Sequence, residues 1–375
     1  MELILFDDGS TDGTCDWMVE HNRASSSLIQ VHRVPERLGH TILYDRGISM
    51  STRPIVGILH ADMIIGPNYV ENLLKHLKPG VVVCATRIEP PLHPSGPEKI
   101  TMDFGQDHDN LDIKAFESYC LEVQQTHKDH TTGGMFAPWM IRKSDFDKVG
   151  GHDPLFAPFP YEDSDIFQRW MLAGYALVQS RDSLVYHLTC RGHRWTEQVG
   201  QDDQFYVKAA HKASRNYIRK WGSWIANTPL QHPIIPPKYF TRYIVYNAEF
   251  QLIEWLEPWC SEIEIVSLGP GHRCTVDELI GLYIEHEQPN TLYDLRAKFV
   301  PAQSKVMEFG VKVQIDGDKV DENDLRLLQQ LQQQVQTNDE HIHSAKVGAL
   351  TITTLKPKNL NNASILLTAP RGRRA

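Results

Sequence analysis

The chain has 375 residues, 41% of them hydrophobic and 23% charged, an ordinary globular composition long enough for a large core and two domains. Lys and Arg number 38 against 47 Asp and Glu, a net charge of -9, and the densest basic cluster is the terminal Arg371, Arg373 and Arg374, which excludes nucleic acid as a main partner. Six scattered cysteines without a Cys-x-x-Cys pair, no apolar run near the ~18 residues of a membrane span and no leader-like start predict a protein of the reducing cytoplasm, with no integral membrane segment, free or peripheral at a membrane.

In chain order, Leu3-Ile4-Leu5-Phe6 predicts a strand over 2–6, followed directly by Asp7-Asp8-Gly9-Ser10-Thr11-Asp12-Gly13-Thr14. A buried strand that ends in paired carboxylates and a Gly/Ser/Thr turn makes a polar pocket at its C-terminal edge, where open α/β sheets bind nucleotides. Thr11 or Asp12 caps a helix over 12–22. Strands over 28–33, 55–59 and 81–85 then alternate with helices over 40–50 and 68–77. Such alternation predicts a mostly parallel sheet flanked by helices. Residues 93–97 read as a loop and 108–130 as an intermittent helical pattern. Order returns at Gly133-Gly134, then with a helix over 144–149 closed by Gly150-Gly151, a helix over 166–173 and a strand over 184–187.

Pro229, Pro233, Pro236 and Pro237 mark a boundary. They divide the chain into a domain over 1–225, a Pro-rich linker over 226–240 and a C-terminal α+β domain over 241–375 that resembles nothing nameable. In that last part Thr275 and Glu278 form a capping box, and Thr291 to Asp294 opens a second helix. A strand over 311–315, a helix over 322–336 with Leu325, Leu328 and Leu331 at helical spacing, and a Thr-rich strand over 349–355 complete it.

The eight-residue string after the first strand resembles the signature of family 2 glycosyltransferases, which carry sugars from nucleotide-sugar donors. Two further segments follow in that family's order: His60-Ala61-Asp62 after the strand over 55–59, and Gly150-Gly151-His152-Asp153 leading to Tyr161-Glu162-Asp163-Ser164-Asp165. The resemblance spans about half the chain, 2–195. It implies a GT-A (Rossmann-like) α/β fold and a nucleotide-diphosphate sugar donor. It also implies a glycan, lipid-linked or protein acceptor, metal assistance and inversion.

Residue by residue, the resemblance makes Asp8 and Asp7 acceptors for the donor's base or ribose and places Arg37 in the loop beside the base. Asp62 matches the second carboxylate of a metal-binding Asp-x-Asp, and His60 replaces the first. A diphosphate leaving group needs its charge neutralised, so the cofactor is Mn²⁺ or Mg²⁺, and imidazole suits Mn²⁺ better. His187, after the strand over 184–187, completes the metal set as in some relatives. Inverting transfer needs a general base, and Asp163 takes that role with Glu162 flanking the acceptor. In the family such a Glu-Asp pair follows a Gly-Gly-Phe-Asp turn, which Gly150-Gly151-His152-Asp153 resembles. Arg191 and Arg194 suit the diphosphate, since guanidinium matches phosphate geometry. Trp195 stacks on the acceptor and Gly134 belongs to the acceptor-side element. The blander readings are an acidic helix N-terminus favoured by the macrodipole and an exposed basic turn.

One departure stands out. The family begins with a further strand and helix, and Met1 immediately precedes what corresponds to its second strand. Three explanations are weighed: an N-terminally shortened reading frame, a noncatalytic sugar- or nucleotide-binding remnant, or replacement of the strand by the segment over 349–355. A nucleotidyltransferase would need a Gly-rich pyrophosphate loop with a basic residue after its first strand, and none is present.

Overall fold

The computed structural model describes residues 1–22, 28–190, 194–196, 198–271, 273–301, 310–335 and 343–361. These fall into two compact units, one holding the described residues of 1–210 and 226–234, the other those of 211–225 and 235–361. The first unit runs β1 (Leu3–Asp8), α1 (Thr14–Asn22), β2 (Ile29–Val34), α2 (His40–Met50), β3 (Ile55–Gly57), β4 (Met63–Ile65), α3 (Tyr69–His76), β5 (Val81–Glu89) and β6 (Lys99–Thr101). It continues with α4 (Ile113–Thr126), β7 (Thr131–Thr132), β8 (Trp139–Arg142), α5 (Lys143–Val149), α6 (Glu162–Leu172), β9 (Ala176–His187) and the first part of α7 (Gln204–Trp221).

β5 is the centre of the large sheet, whose order is β3-β8-β5-β9-β4, with β6 on β5 and β7 on β9. Its Val82, Val83, Cys84 and Ile88 are fully buried in the apolar clusters that cover the sheet's faces. β3, β5 and β9 run one way while β8 and β4 run the other, so this sheet is more mixed than the alternation of elements implied. Alternation identifies strands and helices, but two- to four-residue strands such as β3, β4 and β8 carry no signal of their direction. The parallel orientation sends the C-terminal ends of β3, β5 and β9 to one edge. β1 and β2 form their own parallel pair, in register from Leu3 opposite Ile29 to Asp8 opposite Val34.

Two buried devices fix the segment around α6. Trp139 and Trp170 meet edge-on at 5.0 Å between ring centroids, tying α6 to β8. Arg169, fully buried, donates to Asp165 at 2.7 Å and to the carbonyls of Val149 and Gly151 at 2.9 and 2.6 Å. One guanidinium thereby clamps the turn after α5 to the first turns of α6. Gly150 and Gly151 hold φ of 90° and 79°, a left-handed path that ends α5.

The second unit is α+β: β10 (Thr241–Tyr246), α8 (Phe250–Leu256), β11 (Glu262–Ile265), α9 (Val276–Glu287), β12 (Gly310–Asp316), α10 (Glu322–Gln334), β13 (His343–Val347) and β14 (Leu350–Leu355). Its sheet, β11-β10-β12-β14-β13, is parallel up to β12 and antiparallel beyond. The Thr-rich strand is therefore β14, paired with β12 and β13, and replacement of a first strand by this segment is ruled out. Thr275 and Glu278 form the expected capping box, whereas the segment after Thr291 yields only a 3-10 turn at Arg296–Lys298. Arg219 and Lys298 surround the buried Glu257, and Arg215 pairs with Glu287 at 2.7 Å. No described helix is long and apolar enough to cross a membrane.

Because Arg169 and Asp165 are both buried, Arg169→Met leaves an uncompensated carboxylate and is expected to cost about 3–5 kcal/mol in urea unfolding. The double change Arg169→Met with Asp165→Leu should cost less than the single one; a larger loss would show that the carbonyl contacts, not the ion pair, dominate.

Candidate active site

α6 starts at Glu162, four residues earlier than the sequence pattern indicated, so the carboxylates of Glu162, Asp163 and Asp165 lie in its first turn. Negative charge is favoured there by the helix dipole, but burial is not. Glu162 Oε1 lies 2.6 Å from His40 Nε2 at the start of α2. Its Oε2 and the Oδ1 of Asp163 are buried without a hydrogen-bond partner among the described residues. Burial pushes Asp163 up to about 7, and the neighbouring Glu162 charge adds to the rise. Burial pushes the same way on Glu162, yet His40 prevails and holds its carboxyl below the ordinary value. His40 is raised in turn, since Glu162 outweighs the burial that would lower it. One pair thus holds a carboxylate kept charged beside one that retains its proton to near neutral pH.

A second group forms at the C-terminal edge of the sheet. Asp62, in the loop between β3 and β4, lies 3.5 Å from Nε2 of His187, the last residue of β9. Nδ1 of His187 is 2.8 Å from Glu89, the last residue of β5. Glu89 also accepts from Arg87 at 2.6 Å and Lys99 at 2.8 Å. These cations and His187 overcome its burial and hold Glu89 well below the carboxylate range. Burial lowers His187 but Asp62 and Glu89 outweigh it, so its proton affinity is raised. The Arg87 guanidinium lies over Phe136, 3.5 Å from the ring centroid.

Tyr44 of α2 joins the two groups. Its ring is 5.7 Å from that of His60 and 5.9 Å from that of His152, and His60 also stacks on His40 at 5.8 Å. Burial, then the charges of Asp163, Glu162 and Asp62, push the Tyr44 phenol well up. All three carboxylates therefore act on one hydroxyl.

The remaining sequence-derived residues are placed as follows. Asp7 is buried, accepts from the Ser10 amide at 3.2 Å and faces Arg33 at 3.5 Å. Asp8 accepts from the amides of Leu38 and Gly39 at 2.7 and 2.9 Å, so it holds the 35–39 loop against the end of β1. Arg37 in that loop lies over Phe159 and Phe205, 5.4 and 4.9 Å from their centroids. Arg194 pairs with Asp202 at 2.9 Å, and Trp195 packs on His93 at 5.4 Å. Gly134 is pressed against other parts of its unit, where a Cβ would meet Gln179 at 2.5 Å and the Leu230 carbonyl at 2.9 Å. Arg191 lies outside the described residues.

Residues 1–150, which contain the Asp-rich turn and Asp62, match the family model described as Glycosyl transferase family 2. That part of the chain is a family 2 glycosyltransferase segment. It is also similar to two proteins named validoxylamine A glucosyltransferase. One, from Streptomyces hygroscopicus subsp. jinggangensis (strain 5008), is 27% identical over 207 residues, covering 48% of this chain and 46% of that protein. The other, from subsp. limoneus, is 27% identical over 207 residues, covering 48% and 43%. The match thus spans less than half the length of these relatives. Among solved structures, one titled as GalNAc-T7 with UDP, GalNAc and Mn²⁺ aligns with 59% of this chain and 44% of its own, at 14% identity and a TM-score of 0.38.

Four residues near these groups escaped the sequence reading: His40, Tyr44, Asp45 and Glu89. His40 opens a helix just after Gly39 and carries no spacing signal. Glu89 lies four residues past the predicted end of its strand.

A carboxyl whose folded proton affinity is raised contributes stability below its ordinary range, and that contribution is lost as pH rises through about 7. Asp163→Asn should therefore gain on the parent between pH 4 and 7 and hold that gain above it, by about 2–4 °C in melting temperature. Equal melting curves at pH 8 would show that Asp163 is solvated.

Proposed function

We propose that the chain transfers a sugar from a nucleotide-diphosphate donor to a hydroxyl group of a glycan, lipid-linked or protein acceptor, with inversion and with Asp163 as general base. The observation that carries this reading is the buried Glu162–Asp163 pair, whose members are driven apart in proton affinity by His40 on one side and burial on the other. A base with a proton affinity near the working pH is best matched to its task. In the transfer step the acceptor oxygen bonds to the anomeric carbon and the bond to the diphosphate oxygen breaks. The hydroxyl proton ends on Asp163. Glu162 stays charged through His40, holding the acceptor hydroxyl and sustaining the proton affinity of its neighbour.

The sheet edge supports a reading with a divalent cation, although among the described residues no group of three or more ligating side chains assembles there. A carboxylate and an imidazole converge there, and the Glu89 carboxylate behind His187 fixes which ring nitrogen faces Asp62. Asp62 and His187 would hold Mn²⁺ or Mg²⁺, with Mn²⁺ favoured by the imidazole and His60 as a third donor. Such a cation supplies positive charge to the departing diphosphate. On the nucleotide side, Asp7, Asp8 and Arg37 receive the base and ribose, Arg191 and Arg194 the diphosphate, and Trp195 and Gly134 border the acceptor. The relatives' name makes a glucosyl donor the first to test. All six cysteines are free thiols, which supports a cytoplasmic setting.

Two measurements decide this reading. Nucleoside diphosphates screened by thermal shift should yield one that stabilises the protein with Mn²⁺ and loses its effect in EDTA; no shift from any of them sinks the proposal. Asp163→Asn should lower sugar transfer by about 10²-fold or more while donor affinity stays within about threefold. Lost donor binding instead would make Asp163 a scaffold residue. Separately, Glu89→Gln should weaken Mn²⁺ binding about 10- to 100-fold by calorimetry, and unchanged affinity would remove His187 from the metal set.

A further inference from the structure

Phe159, in the loop that leads into α6, is a meeting point of three segments of the first unit. It is buried, and its ring stacks on that of His40 in α2, 5.5 Å between centroids and 18° from parallel. Phe205 and Tyr206 reach it from the first turn of α7, one edge-on at 5.8 Å and the other stacked at 6.1 Å. The backbone around these rings is tied down as well. Thr41 donates to the Pro158 carbonyl at 2.9 Å, and a Cβ on Gly39 would meet Pro158 at 2.3 Å. Asp203 accepts from the amides of Phe205 and Tyr206 at 2.8 and 3.3 Å, which fixes the start of α7.

Two of the arginines proposed for the donor rest on these same rings. The Arg37 guanidinium lies 4.9 Å from the Phe205 centroid and 5.4 Å from that of Phe159. Arg194 lies 5.3 Å from the Tyr206 centroid and pairs with Asp202 at 2.9 Å. On the other flank, His40 has Nε2 2.6 Å from Glu162. A guanidinium on an exposed, flexible stem samples many rotamers, and an aromatic face restricts it without consuming its N–H donors. A ring that only filled space would need no such neighbours, since any apolar side chain of that volume would serve.

We propose that Phe159, Phe205 and Tyr206 are positioning residues that set the donor-side arginines and the His40–Glu162 contact in one frame. Phe205 and Phe159 place Arg37, Tyr206 places Arg194, and Phe159 holds the His40 ring in the plane that aims Nε2 at Glu162. The proposal rests on the reading of Arg37 and Arg194 as donor residues and of Glu162 as a partner of the base. Each ring acts through the polar group lying on it, and Phe159 acts through two. A change at Phe205 is therefore felt on the donor side alone, whereas a change at Phe159 is felt on both.

The test is NMR of the full chain with labelled arginine side chains and histidine rings, alongside calorimetry with UDP, GDP, ADP, CDP and dTDP, each with Mn²⁺. Phe205 is 43% exposed, so Phe205→Ala should fold as the parent does. It should move the Arg37 guanidinium signal, leave the His40 ring signals in place and weaken the bound nucleotide about two- to fivefold. Phe159→Leu, which stays apolar but loses the flat face, should move the Arg37 and His40 signals together and lower kcat as well as nucleotide affinity. Tyr206→Leu should move the Arg194 signal and Tyr206→Phe should not, a comparison that carries the test if Phe159→Leu folds poorly. An unmoved Arg37 signal in Phe205→Ala, an unmoved His40 signal in a folded Phe159→Leu chain, or equal effects of the two Tyr206 changes overturns the proposal. A merely structural role would lower melting temperature without moving these signals. Nucleotide affinity unchanged in Arg37→Ala would instead sink the donor assignment of Arg37, while leaving the positioning measured here intact.

Discussion

Two carboxylates side by side in the first turn of a buried helix cannot both ionise cheaply, and the first unit is built around that constraint. The helix dipole alone supplies about 1 kcal/mol at most for an exposed end, too little to offset burial and mutual repulsion together. His40 settles which member is charged by its contact with Glu162. Asp163 is left with the proton affinity of a weak base. Arg169, inside α6, cancels the third acidic residue of that turn and fixes the backbone opposite.

The sheet edge applies the same logic with the signs rearranged. Glu89 is ringed by Arg87, Lys99 and His187, so its charge is fully compensated and it acts as a fixed anchor. His187 is thereby oriented with its other nitrogen toward Asp62. Burial first, then the carboxylates of both groups, push the Tyr44 phenol up.

The legible parts of the fold were the apolar ones and those with turn chemistry. α2 occupies the predicted 40–50, and the Thr275 capping box opens α9 as expected. Strand ends were lost wherever buried strands turned polar. β9 begins at Ala176, eight residues before the predicted strand, because Gln179, Ser180, Asp182 and Ser183 read as loop. In the fold they are buried and satisfied: Gln179 donates to the Glu98 carbonyl at 2.6 Å and Ser180 to Asp182 at 2.6 Å. Likewise β5 runs on through Thr86, Arg87 and Glu89. A hydropathy pattern does not record which polar side chains will find buried partners once the chain has folded.

By itself the sequence determined the family likeness of residues 1–150 and the side chains on offer: an Asp-rich turn after a strand, Asp62, and the Glu162–Asp163 pair. Spacing along the chain carries that information, since a turn and a helix start need only neighbouring residues. Only the tertiary structure decided which groups act together. It put His40 on Glu162 across 122 positions of sequence, Glu89 behind His187, and Asp45 on His152. Proton affinities at the site are set by burial and by charges within a few ångströms, and neither quantity exists until the chain has folded.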